Sequence, residues 1–135
     1  MNPITRAELQ MLSPQNHERL RIKQIQEMVE TIYSNVQTTA SDTTVLAPTI
    51  YRHLLKRSNE VHYRKYSDEF LEANMVEILE RVRTLFPDCV VKYTQLLTVV
   101  DKNGIPTYSE VTPSTCNPVQ RHNVWISSFI VVDWS

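Results

Sequence analysis

The clearest pattern of hydrophobic and polar positions lies between residues 67 and 100. Phe70, Leu71, Met75, Val76, Ile78, Leu79, Val82, Leu85 and Phe86 recur at helical spacing, and Glu72, Glu77, Glu80, Arg81 and Arg83 fall mostly on the other side. This is an amphipathic helix with one broad apolar face. Ser67 stands where an N-cap belongs, Asp68 and Glu69 place negative charge in the first turn, and Pro87 ends the helix. The next run, 89–100, is rich in β-branched and aromatic residues and reads as a long strand. An Asn-Gly pair at 103–104 predicts a hairpin turn, because both residues tolerate positive φ. The returning strand, about 105–112, carries Pro106, which cannot donate to a ladder and marks an edge. Residues 112–123 read as a loop. The last strand, 124–134, is apolar on both sides: Val124, Ile126, Ile130, Val132 and Trp134 on one, Trp125, Phe129 and Val131 on the other.

Upstream, Asn2-Pro3 and a Thr5 to Glu8 capping box start a short helix to about residue 12, and Ser13-Pro14 starts a second one to about residue 36. Within it Ile22, Ile25, Val29, Ile32 and Val36 step by three, four, three and four. This is a heptad seam of β-branched residues about two heptads long, which favours packing inside the chain or on a dissimilar partner over a homomeric coiled coil. Residues 37–44 are small, polar and aperiodic, a linker between a helical arm (1–44) and a core domain (45–135). Pro48 opens a third short helix, 49–56. The pattern as a whole predicts an α+β fold: N-terminal helices, a central amphipathic helix and a C-terminal antiparallel sheet of about three strands, the last beside the first.

The double-sided last strand bears most on function. One helix covers one face of such a sheet, so the other face needs a second cover, either the N-terminal helices or another chain. The second case makes the C-terminal strand an interface. Its candidate contact residues are Trp125, Phe129, Ile130 and Trp134, together with the seam Ile22, Ile25, Val29, Ile32 and Val36.

Composition narrows the chemistry. The chain has 135 residues, 41% hydrophobic and 21% charged, the proportions of a globular domain. Gly104 is the single glycine, so neither GxGxxG nor GxxxxGK[ST] exists here and nucleotide chemistry of those two kinds is excluded. No apolar run approaches the roughly 18 to 20 residues that span a bilayer. Cys89 and Cys116 have no CxxC spacing and no signal peptide precedes them, so both are expected as reduced thiols in a non-secreted, cytoplasmic protein. His17, His53, His62 and His122 form no metal-ligand pattern, and no general acid or base stands out. No catalytic residue, metal or cofactor is assigned, and the chain reads as non-enzymatic.

Net charge is −1, but residues 1–66 carry about +3 and residues 67–135 about −4. Much of the positive charge lies in 51–66, where Arg52, Lys56, Arg57, Arg64 and Lys65 alternate with Tyr51, Tyr63 and Tyr66. Cations beside rings are what single-stranded nucleic acid requires, and Arg52, Lys56, Arg57, Tyr63, Arg64 and Lys65 are the candidate contacts for that alternative. The competing reading is a solvated connector whose tyrosines cap the core.

The LFPDC run at 85–89 and the closing IVVDWS at 130–135 resemble small proteins of nucleocytoplasmic large DNA viruses, in which a helix ending in Phe-Pro-Asp leads into strands and the chain closes on an Ile-Asp-Trp-Ser type tail. The likeness covers residues 68–135 and transfers no functional residue. It implies a viral protein, a minor capsid or virion component located in the virion or host cytoplasm. The leading expectation is therefore a structural protein that assembles with other protein subunits.

Overall fold

A computed structural model describes residues 1–42, 48–58, 66–111 and 124–135. Two helices, α1 (Arg6–Ala40) and α2 (Asp68–Leu85), accompany four strands, β1 (Ile50–Arg57), β2 (Val90–Val100), β3 (Pro106–Glu110) and β4 (Val124–Asp133). The strands form one antiparallel sheet in the order β1-β4-β2-β3, so the fold is α+β with one strand more than expected. The Ser67 hydroxyl accepts from the Phe70 amide at 3.1 Å at the start of α2, and Arg83 occupies its last turn. Gly104, at φ 78°, sits in the turn between β2 and β3, and β3 is an edge as Pro106 requires.

Two expected elements come out differently. The N-terminal region is one helix, not two, and it runs through both Pro14 and the expected linker start to Ala40. Thr5 and Glu8 do form the reciprocal capping box. Pro14 has no amide to give Gln10, but Gln10 is exposed, so its freed carbonyl faces water instead of an apolar interior. Beyond residue 36 the Thr38 hydroxyl donates back to the Ser34 carbonyl at 3.0 Å within the helix, and the C-cap Ser41 donates its hydroxyl and its amide to the Gln37 carbonyl, which closes the last turn. The domain boundary read at 44 falls among residues 43–47, outside the described ones.

The second correction is the run 49–56, expected as a helix, which is strand β1. It pairs along β4 from Ile50 opposite Asp133 to Arg57 opposite Ser127. Tertiary pairing overrides local propensity here, because β4 would otherwise present a bare edge. The register shifts between Leu54 and Lys56, a bulge that turns both Leu55 and Lys56 toward the helices. Leu55 packs on the core there, and Lys56 reaches Asp68 of α2 at 3.0 Å.

Both helices lie on the same face of the sheet. Ile25, Met28, Val29, Ile32 and Val36 of α1 share one buried cluster with Leu71, Ile78 and Val82 of α2 and with Val91, Ile130 and Val132 of the sheet. Arg21 bonds Asn74 and Glu77, and Tyr33 lies 5.8 Å from Phe86, so α1 and α2 run parallel. The N-terminal helix therefore does not cover the opposite face of β4. It shares the same face with α2.

At the upper end of the helix pair, Arg21 donates to both oxygens of Glu18, at 3.0 and 2.6 Å, to Asn74 Oδ1 at 3.1 Å and to Glu77 Oε2 at 2.5 Å. Asn74 is buried, and its own amide donates to the Phe70 carbonyl. Hydrogen bonds from Arg21 hold the Glu77 carboxyl below the ordinary 4.5, and Arg81 adds to the effect.

Replacing Ile130, which is fully buried where β4 meets both helices, with alanine is expected to lower stability by about 2–5 kcal/mol in denaturant titration. Val76→Ala, on the exposed side of α2, is expected to stay within about 0.5 kcal/mol. Because the folded-state Glu77 proton affinity is lowered, its contribution is present above pH 4.5 and is lost as the pH falls through the lower folded value. Urea midpoints followed from neutral pH to below 4.5 are expected to fall less steeply in Glu77→Gln than in the native chain.

Candidate interaction surfaces

The interface residues expected from the sequence separate into three groups. Ile25, Val29, Ile32, Val36 and Ile130 are buried inside the chain's own core, and Trp134 packs partly buried against it. These six face α2 and the sheet, so they form no outer contact surface. Heptad spacing had identified buried positions whose partner is intramolecular. Ile22 sits at the margin of the helix pair and is exposed. Trp125 and Phe129 lie on the face of the sheet opposite the helices.

The basic cluster is also divided. Arg52 and Arg57 lie on the open face of β1, whereas Lys56, turned by the bulge, is paired with Asp68 on the helix face. The six candidate nucleic-acid contacts therefore do not form one strip; Tyr63, Arg64 and Lys65 are outside the described residues. Two of the interleaved tyrosines belong to the core side. Tyr66 is buried and stacks on Phe70 at 5.3 Å, and the Tyr51 hydroxyl accepts from Asn35 at 2.8 Å and lies 2.9 Å from His53 Nδ1. Burial pushes the Tyr51 hydroxyl above its usual value. Among the described residues no group of three or more His, Cys, Asp or Glu side chains is placed to hold a metal ion.

The first outward surface is the beginning of α1. Every residue from 1 to 20 is exposed, and burial begins in earnest at Ile25. Residues 6–20 make an overhang of roughly 22 Å at 1.5 Å per residue. Ile4, Leu9, Met11, Leu12, Leu20 and Ile22 are 40–60% exposed along it. At about 100° per residue, Met11 and Ile22 continue the stripe that Ile25, Val29, Ile32 and Val36 bury, whereas Leu9 and Leu20 fall on the opposite side of the helix. The overhang is thus apolar on two sides.

The second surface is the open face of the sheet. Arg52 of β1 lies 5.4 Å from the ring centre of Tyr108 on β3, although these are the two outermost strands. Three strand steps separate the two backbones by about 14 Å in a flat sheet, so these long side chains reach toward each other over this face and wall in a concavity. The concavity encloses about 480 Å³, lined by Arg52, Arg57, Thr98, Tyr108, Trp125 and Phe129 among others. Tyr108 meets Phe129 edge to face at 5.6 Å, and the Arg57 guanidinium lies 5.1 Å from the Trp125 ring centre. Beneath them the Trp125 indole N–H donates to Ser127 Oγ at 2.9 Å, and Ser127 Oγ lies 2.9 Å from Thr98 Oγ1. At the far end of β4, hydrogen bonds from Ser135, with the charges of Lys92 and Arg52, hold the Asp133 carboxyl below the usual range.

Sequence reading found Trp125 and Phe129 through the alternation of β4. It missed Thr98, Tyr108 and Ser127, which have no local signature; they come together only through the register of β2 with β3 and β4.

No helix among the described residues is long and apolar enough to cross a membrane. No protein-family model, no curated protein and no solved structure matches the chain.

Proposed function

We propose that the chain is a non-enzymatic assembly protein whose subunits join through the overhanging first half of α1. One observation carries this reading: Ile4, Leu9, Met11, Leu12, Leu20 and Ile22 are all exposed, at and along the start of a helix whose burial in the body of the chain begins only at Ile25. An isolated helix of that length is marginal in water, and its stability comes from packing an apolar face on something. Apolar positions on two opposite sides suit a place inside a bundle of several helices better than a single pairwise contact. Contiguous exposed apolar surface of this kind marks association sites in other proteins. The simplest partner is a second copy, since each copy brings the same unsatisfied overhang. The likeness of 85–89 and 130–135 to small structural proteins of large DNA viruses supports a virion as the setting for such an assembly. The separation of Lys56 from Arg52 and Arg57 weighs against nucleic-acid binding as the main role.

Size-exclusion chromatography with light scattering tests this on the full chain. The expected mass is a multiple of 15.8 kDa. Leu9→Arg with Leu20→Arg is expected to return the protein to a monomer with unchanged thermal stability of the body, because neither residue touches the core. A native chain that remains at 15.8 kDa up to high micromolar concentration overturns the proposal.

A further inference from the structure

The concavity over the open sheet face lies on the side of the sheet away from α1 and has no part in the assembly reading. We propose that it is a binding site for a small ligand with an apolar body and one oxyanion, a carboxylate or a phosphate ester.

Proton counting at its floor gives the first argument. Thr98 and Ser127 are both about 2% exposed and line the concavity. The Trp125 indole N–H occupies one acceptor position of Ser127 Oγ. The bond between the two hydroxyls uses one of their two protons, whichever of them donates. The remaining proton has no acceptor among the described residues. A buried donor without a partner is costly, and a ligand oxygen reaching the floor removes that cost. The unmet group is a donor, so the ligand must bring an acceptor.

Charge gives the sign of that acceptor. The described lining residues include Arg52 and Arg57 and no carboxylate. Both guanidiniums are positioned over rings, Arg52 over Tyr108 and Arg57 over Trp125; Arg57 is engaged in a further interaction, so Arg52 is the cation that sets the sign at the wall. Guanidinium groups in such surroundings favour carboxylate or phosphate oxygen. Asp133 is outside the lining; it lies two residues beyond Val131, the residue opposite Arg52, close enough to feel the Arg52 charge but in no ion pair with it.

The rest of the wall sets the body of the ligand. Leu54, Val100, Pro106, Tyr108 and Phe129 present apolar surface, and a volume of about 480 Å³ falls within the range of small-molecule sites. Aromatic or short aliphatic acids and their phosphate analogues combine the required features.

The test follows the Trp125 indole N–H resonance of the full-length protein during titration with benzoate, with phenyl phosphate, and with benzyl alcohol as a neutral control of the same body. Saturable displacement of that resonance by at least one anion, with at least tenfold weaker binding of benzyl alcohol, is the expected result. The tighter of the two anions identifies the oxyanion class. Arg52→Gln, an exposed substitution that leaves the core intact, is expected to weaken the anion at least threefold, and Thr98→Val to weaken it further. If Thr98→Val fails to fold, Arg52→Gln alone decides. No displacement by either anion at millimolar concentration, equal binding of benzyl alcohol, or undiminished binding by Arg52→Gln overturns the proposal.

Discussion

The structure depends on β4 being buried on both of its faces. Ile130 and Val132 point into the helical layer, and Trp125, Ser127, Phe129 and Val131 point the other way, all but fully covered. A strand with that pattern must lie inside a sheet, between two partners. It pairs β2 over ten positions on one side and β1 over seven on the other. The need for the second partner explains why 50–57 is extended, and the bulge at Leu55 reconciles that strand with a helix face that needs both Leu55 and Lys56. The two sides of β4 are then covered differently: two parallel helices on one, and the side chains of Arg52, Arg57 and Tyr108 reaching in from the flanking strands on the other.

The same asymmetry accounts for the uneven charge along the chain. Positive charge in the first half and negative charge in the second do not separate into two outer faces. Part of each is consumed where the halves meet, in the ion pairs of Arg21 with Glu77 and Lys56 with Asp68. Both pairs are partly exposed, so their role is to set which sides of α1, β1 and α2 meet more than to supply stability.

What the sequence made legible was whatever local chemistry decides. Ser67, the helical period of α2 and Pro87 fix one helix; Asn103-Gly104 fixes a turn, and Pro106 an edge. The seam of α1 was legible as a contact stripe and four of its five positions are buried, Ile22 excepted, but its partner was not legible, because period reports that a position is covered and never by what. The failures share that cause. Residues 49–56 read as a helix because Leu54, Leu55 and their charged neighbours suit either state, and only β4 decides between them. Ser13-Pro14 read as a start signal, yet in an exposed helix the proline is accommodated by water. The concave site was beyond reach, since Thr98, Tyr108 and Ser127 come from three strands whose order was legible but whose register was not.

Residue-resolved hydrogen exchange as a function of protein concentration tests this arrangement most directly. In dilute solution the account predicts that amides of 126–132 and 25–36 are among the slowest to exchange and that amides of 8–20 are nearly unprotected, gaining protection as the concentration rises. Strong protection of 8–20 in a dilute monomer would contradict it, because the first half of α1 would then lie folded against its own body instead of standing free to join another subunit.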